Sequence, residues 1–237
     1  MTFAGNTIIA GDIHGCWETL NVLISDVKPE LIICCGDFGY YPNFVGQVHI
    51  DYMGRKQKIV SIEDGVKNGK TKILFCDGNH EDHWSLQALK DTEVAPNVFY
   101  MPRGSTYTLP DGRKILFMGG AFSIDKPNRQ LGVDWFPEET ISHGDIMRCP
   151  GEPIDIVVSH TCPASLRPKI IKKHPYGFSI PDCSEDALEH ILQSYRPRFW
   201  YFGHWHMSMS GHIIHTNTKW YMLSMAGGSH MWWMFLH

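Results

Sequence analysis

Thr7-Ile8-Ile9-Ala10-Gly11-Asp12-Ile13-His14-Gly15 decides how this chain is read. Four residues that suit a buried strand run directly into glycine, a carboxylate and an imidazole. The same grammar recurs four times further along. Leu31–Cys35 stops at Gly36-Asp37, and Lys72–Cys76 stops at Gly78-Asn79-His80-Glu81. Ile154–Ser159 stops at His160, and Arg198–Phe202 stops at Gly203-His204-Trp205-His206. In open α/β sheets ligands bind beyond the carboxyl ends of strands, so these five ends are expected to converge on one site.

The spacing suits metal ions. Side chains at i and i+2 of extended backbone point the same way, so Asp12 and His14 can share one ion. His204 and His206 span ~6.6 Å as extended backbone, against ~3.5–4 Å between paired catalytic metals, so each can reach one ion of a pair. Gly11, Gly36, Gly78 and Gly203, which precede four of the five clusters, allow a sharp turn or a close backbone approach.

Around these motifs, Cys16–Val27 carries Trp17, Leu20, Leu23 and Ile24 at helical spacing, and Glu81–Leu89 also reads as a helix. Val98–Met101, Ser105–Leu109 and Lys114–Met118 read as strands, with Pro110-Asp111-Gly112 as a hairpin turn. Asp182-x-x-Glu185 resembles a capping box opening a helix through Gln193. Gly211–His215, Trp220–Ser224 and Met231–Leu236 read as closing strands. The segment from 40 to 70 mixes signals, and 119–150 reads as a long loop with a helical piece near 137–147. A loop of that length inside a compact domain is expected to serve function.

Composition narrows the class. The 237 residues include 21 Lys+Arg against 25 Asp+Glu, a net charge of −4, with 43% hydrophobic and 19% charged residues. One globular α/β domain over 1–237 is expected, neither disordered nor fibrous. No apolar run approaches the ~20 residues of a membrane span, and the start lacks a basic leader region. Mild acidity gives no support for broad charge-driven nucleic-acid binding. Of seven cysteines, none in a CxxC pair, most read as small core residues in a reducing, cytoplasmic setting. Of the fourteen histidines, those outside the strand ends form no comparable constellation.

Together the five parts D-x-H, G-D, G-N-H-E, a lone His and G-H-x-H resemble the calcineurin-like metallophosphoesterase family, from Asp12 to His206. The resemblance implies an α/β two-sheet sandwich flanked by helices, with a binuclear metal site at the strand ends. It implies a first ion held by Asp12, His14, Asp37 and His206. A second would be held by Asp37, Asn79, His160 and His204, with Asp37 bridging. His80 would approach the phosphate and protonate or stabilise the leaving oxygen, and Glu81 would hold its imidazole. Imidazole and oxygen donors without thiolate suit two divalent ions, Mn²⁺ first, with Fe or Zn²⁺ as alternatives. Two such ions against two carboxylates leave a positive site inside an acidic protein. Because histidine ligands must be deprotonated, activity is expected to fall on acidification, which a rate profile between roughly pH 5 and 8 at saturating metal checks.

Serine/threonine phosphatases of this superfamily continue the second motif as GDxxDRG. Here it reads Gly36-Asp37-Phe38-Gly39-Tyr40-Tyr41-Pro42, without the second Asp or the Arg. The G-H-x-H ending is more similar to phosphodiesterase and nuclease branches, and Gly119-Gly120 loosely resembles the lariat-debranching relatives. In the loop that follows, Lys126 and Arg129 are expected to contact phosphate, and Phe122 or Trp135 to stack on a base. The expected activity is metal-dependent hydrolysis of a phosphodiester, nucleotide-like or nucleic-acid-like ester, with no obligate protein partner. The alternatives are a phosphomonoesterase and a non-enzymatic metal-binding scaffold.

Overall fold

The computed structural model describes residues 6–50, 56–174 and 180–237. The chain begins with β1 (Thr7–Ala10), α1 (Trp17–Val27), β2 (Leu31–Cys34) and a ribbon of β3 (Val48–Ile50) and β4 (Lys56–Lys58). The short α2 (Ile62–Gly65), β5 (Lys72–Phe75), α3 (His83–Gln87), β6 (Glu93–Ala95) and β7 (Val98–Tyr100) follow. Then come β8 (Thr106–Thr108), β9 (Lys114–Met118), α4 (His143–Met147), β10 (Ile156–Ser159), α5 (Arg167–Ile171) and α6 (Cys183–Tyr195). β11 (Phe199–Phe202), β12 (Met209–Ile213), β13 (Thr218–Met222) and β14 (Trp233–Phe235) complete it.

Two six-stranded sheets result, in the orders β14-β1-β2-β5-β7-β6 and β12-β13-β11-β10-β9-β8. Each has four parallel strands in the middle and one antiparallel strand at either edge. Ile9, Ile33 and Leu74 of the first sheet share a core cluster with Phe117, Val158 and Tyr201 of the second. On the first sheet's other face, Ile8, Ile32 and Phe75 pack against Trp17, Leu20 and Leu23 of α1. On the second sheet's other face, Val157, Trp200 and Phe202 pack against Leu188, Ile191 and Leu192 of α6. Central strands buried on both faces have no polar alternation, which is why they read as unbroken apolar runs. Cys34, Cys35, Cys76 and Cys162 are free buried thiols in these layers. No helix among the described residues is long and apolar enough to cross a membrane.

Some local features differ from expectation. The 40–70 segment, of which 51–55 lie outside the described residues, packs on the start of α3. The Tyr40 carbonyl accepts from the Asp82 amide (2.9 Å), and the Asn43 amide donates to Asp82 (3.1 Å) and Ser85 (2.8 Å). Asp82 caps α3 by accepting from the Ser85 amide, which leaves Glu81 in the preceding turn. At α6 the Asp182 carboxylate accepts from the Ser184 amide, while Glu185 accepts from Arg167 (2.9 Å) and closes no capping box. The reciprocal box lies at Ser142 and Asp145, opening α4.

Behind the 78–81 turn sits a buried charged cluster. Arg103 donates through Nε (2.9 Å) and Nη2 (2.5 Å) to Asp77, and the Tyr100 hydroxyl donates to the same carboxylate (3.1 Å). His83, 3% exposed, has Nδ1 3.9 Å from Asp77. Burial pushes its pKa down to about 4, against the opposing pull of Asp77. The unfolded chain protonates this histidine near pH ~6.5 and the folded protein only near 4, so stability is lost as pH falls through that window. Lowering the pH from about 7 to 4.5 is expected to cost roughly 2–3 kcal/mol through His83. Urea midpoints of His83→Gln should show that much less acid sensitivity, and an unchanged difference between the two pH values would reject the assignment.

Candidate metal centre

The ends of β1, β2, β5, β10 and β11 carry their polar residues to one place. Asp12 Oδ2 lies 3.2 Å from His206 Nε2, which lies 3.2 Å from His14 Nε2. His14 Nε2 lies 3.5 Å from Asp37 Oδ2. These four residues each offer one donor atom, and all four atoms lie within 4.8 Å of one another. From the same Asp37 Oδ2, His160 Nε2 is 3.3 Å away. Asn79 Oδ1 then joins His160 Nε2 (3.0 Å) to His204 Nδ1 (3.0 Å). Asp37 Oδ2 therefore stands at the junction of two donor sets.

Extended backbone is not what brings these side chains together. Among the described residues, eight non-glycine residues have positive φ, and four of them are His14 (49°), Asp37 (46°), His204 (68°) and His206 (49°). The strands have ended by this point, and a left-handed residue folds the chain back so that successive side chains reach the centre. Each such residue costs roughly 1–2 kcal/mol in backbone strain. Local hydrogen bonds offset it: the amides of Ile13 (3.0 Å) and His14 (2.6 Å) both donate to the Asp37 carbonyl, and the His204 amide donates to Asp12 (3.0 Å).

Two glycines are required by close approach. A Cβ on Gly203 would lie 2.0 Å from Asp12 Oδ1, and one on Gly78 would lie 2.1 Å from Asp37 Oδ1. Gly203→Ala is expected to displace the Asp12 carboxylate and weaken Mn²⁺ binding about 10–100-fold while the fold persists. Calorimetric titration measures this, and unchanged affinity would contradict the placement of Asp12.

The charges call for cations. Asp12 and Asp37 are 0% and 1% exposed. Burial would raise both carboxyls, yet both are held low, chiefly by histidines: His206 and His160 for Asp12, and His160 for Asp37. His160 Nδ1 donates to the Cys35 carbonyl (2.9 Å), and its Nε2 faces only the oxygens of Asp37 and Asn79. Burial opposes a charge on this ring, but Asp37 and Asp12 override it and raise its pKa to about 10. A proton there does the work that a divalent cation would do better. Buried carboxylate, imidazole and amide oxygen donors, with no Lys or Arg among the compensating groups, fit divalent metal ions of the Mn²⁺, Fe or Zn²⁺ kind.

The Asn79 oxygen is aimed by residues not anticipated from the sequence. Its Nδ2 donates to Ser123 Oγ (3.0 Å), and Ser123 donates through Oγ (2.6 Å) and its amide (2.9 Å) to Glu139. With the amide nitrogen tied outward, the oxygen faces the histidines. Ser123 lies in the loop flagged by its length, but nothing in the local pattern joins it to Glu139.

Glu81 does not hold the His80 ring. Its carboxylate accepts from the amides of Phe38 (2.5 Å), Gly39 (3.1 Å) and Gly78 (2.7 Å), bracing the turns that carry Asp37 and Asn79. Burial and Asp37 push its pKa up to about 8, while the Gly78 and Gly39 amides oppose the rise. The group beside His80 is Arg129, whose Nη2 lies 2.5 Å from His80 Nε2. Arg129 also donates to the carbonyls of Asn79 and Asp134 and pairs with Asp125. Its terminal nitrogens are thus engaged within the protein. Lys126 Nζ lies 4.1 Å above the Trp135 ring, occupying one face of that indole. Phe122 is half-buried, and its amide donates to Asp182 (3.0 Å).

The family model described as calcineurin-like phosphoesterase matches residues 5–208, which include every residue of this centre. The chain belongs to that family. Among curated relatives of this calcineurin-like chain, the lariat debranching enzyme of Schizosaccharomyces pombe is 29% identical over 233 residues, covering 89% of the chain and 50% of the relative. The lariat debranching enzyme of Gallus gallus is 25% identical, covering 89% and 44%. The chain thus spans about half the length of the curated relatives it matches. The protein TT1561 of Thermus thermophilus superposes with a TM-score of 0.51 over 93% of this chain and 89% of its own. At 11% identity that likeness speaks to the fold alone.

Proposed function

We propose that this calcineurin-like chain hydrolyses phosphodiesters at a two-metal centre, with a nucleic-acid or nucleotide-like ester as substrate. The observation that carries the reading is the junction at Asp37 Oδ2, 3.5 Å from His14 of one donor set and 3.3 Å from His160 of the other. The lariat debranching relatives support a nucleic-acid diester over a small monoester.

Asp12, His14, Asp37 and His206 would hold one ion, and Asp37, Asn79, His160 and His204 the other. When bound, the ions would draw charge from the phosphoryl oxygens and lower the pKa of a water between them. The chain's own residues set the rest. Asp37 supplies the negative charge between the two sets, while its Oδ1 accepts the His80 amide (2.8 Å) and so fixes the start of the 80–81 turn. Burial, aided by Arg129, holds the His80 ring well below the usual histidine range despite Asp37. A neutral ring in that position donates a hydrogen bond to a phosphoryl or leaving oxygen. Glu81 keeps the Asp37 and Asn79 turns in register through its three amide contacts.

The test is side-by-side hydrolysis of bis- and mono-nitrophenyl phosphate by metal-stripped protein restored with Mn²⁺, Fe²⁺ or Zn²⁺. Metal-restored turnover with the diester preferred is expected. Preference for the monoester would replace the substrate class, and two bound ions without turnover of either would favour the scaffold.

A further inference from the structure

We infer that Arg129 is a positioning residue that holds the His80 imidazole as its Nδ1–H tautomer, leaving Nδ1 as the ring's one hydrogen-bond donor. The catalytic meaning of this assignment rests on the phosphodiesterase reading, but the geometry does not. A guanidinium carries only N–H groups and has no lone pair to offer. The ring nitrogen that meets Arg129 Nη2 at 2.5 Å is Nε2, so Nε2 accepts and the proton resides on Nδ1.

Arg129 is itself immobilised. Nη1 donates to the carbonyls of Asn79 (3.1 Å) and Asp134 (3.2 Å), and Nη2 pairs with Asp125 Oδ1 (2.8 Å) besides meeting His80. These four contacts use the four terminal N–H bonds, and the side chain is 6% exposed. An incoming phosphate oxygen therefore finds no free terminal N–H on Arg129.

The partner's sign matters. A carboxylate beside a histidine takes the ring's proton into a hydrogen bond and favours imidazolium. A guanidinium does the reverse, fixing the ring as acceptor on one side and donor on the other while opposing a second proton. With Glu81 spent on three backbone amides, Arg129 is the group placed to choose between these states. The same loop thus orients two neighbours, Asn79 through Ser123 and His80 through Arg129.

Long-range ¹H–¹⁵N spectra of the metal-free protein report the tautomer directly, with His80→Gln identifying the signal. The wild type is expected to show Nδ1–H, and Arg129→Met to release the ring toward Nε2–H. With metal restored, kcat of Arg129→Met on bis-nitrophenyl phosphate should fall about 10–100-fold with KM within about two-fold. Arg129→Lys keeps a donor at Nε2 and should retain Nδ1–H and recover much of kcat. An Nε2–H wild type, or Nδ1–H persisting in Arg129→Met, overturns the inference. So does a rise in KM with kcat unchanged, which would return Arg129 to substrate contact. If Arg129→Met does not fold, Arg129→Lys decides alone, and loss of Nδ1–H there refutes the role. A wild type that shows Nδ1–H yet hydrolyses neither ester defeats the phosphodiesterase reading and leaves the tautomer assignment standing.

Discussion

Asp37→Asn is expected to weaken both metal sites together, each by at least about 100-fold, and to lower kcat/KM by about 10³-fold or more. The substitution isolates charge from shape. Asp37 sits at φ 46°, a conformation that asparagine accepts readily, and an Asn oxygen can still accept the His80 amide. What disappears is the negative charge that His14 and His160 both face at Oδ2. Mn²⁺ titration of the variant, paired with its circular dichroism spectrum, measures the effect. Two intact sites in a folded Asp37→Asn protein would remove Asp37 from the junction and leave two separate centres.

His80→Ala should behave in the opposite way, keeping its ions and losing turnover by about 10²–10³-fold. The ring belongs to neither donor set. Its amide is bonded to Asp37 and its Nε2 to Arg129, and its ring meets His14 edge-on with centroids 5.0 Å apart. Truncation removes the donor proposed to act on substrate while leaving the backbone bond to Asp37 in place. Metal content by emission spectrometry and kcat on the diester separate the two effects. Loss of metal from His80→Ala would mean that Asn79 and His80 have been given each other's roles.

The five strands that lead to the centre are legible in the sequence because burial on both faces leaves unbroken apolar runs. β1 occupies Thr7–Ala10, the residues its pattern marks. The short edge strand Glu93–Ala95, which has no buried residue, escapes notice, as do the ribbon strands Val48–Ile50 and Lys56–Lys58. At the centre, residue types and order reveal Asp12, His14, Asp37, Asn79, His160, His204 and His206, but the backbone that unites them is invisible. No local pattern announces that His14 and His206 turn left-handed. Nor does spacing reveal that the glycines make room for the carboxylates of Asp12 and Asp37. Contacts between distant segments are harder still. Glu81 looks like a partner for its neighbour His80, yet the fold brings three amides to it and gives the imidazole to Arg129, 49 residues away. The 119–150 loop, expected to meet substrate, also reaches residues of the centre itself, Asn79 through Ser123 and His80 through Arg129.

The left-handed backbone at four of the seven donors also divides the centre into positions that can be redesigned and positions that cannot. His14, Asp37, His204 and His206 must satisfy a backbone rule as well as a chemical one, and β-branched or bulky replacements there add strain to any loss of ligation. Asp12, Asn79 and His160 keep negative φ, so their side chains are free of that second condition. A change of metal preference, whether by selection or by engineering, has its least obstructed route through those three. Asn79 stands out among them, because Ser123 and Glu139 decide which of its side-chain atoms faces the histidines, so a carboxylate there must also replace the hydrogen bond that Nδ2 donates to Ser123.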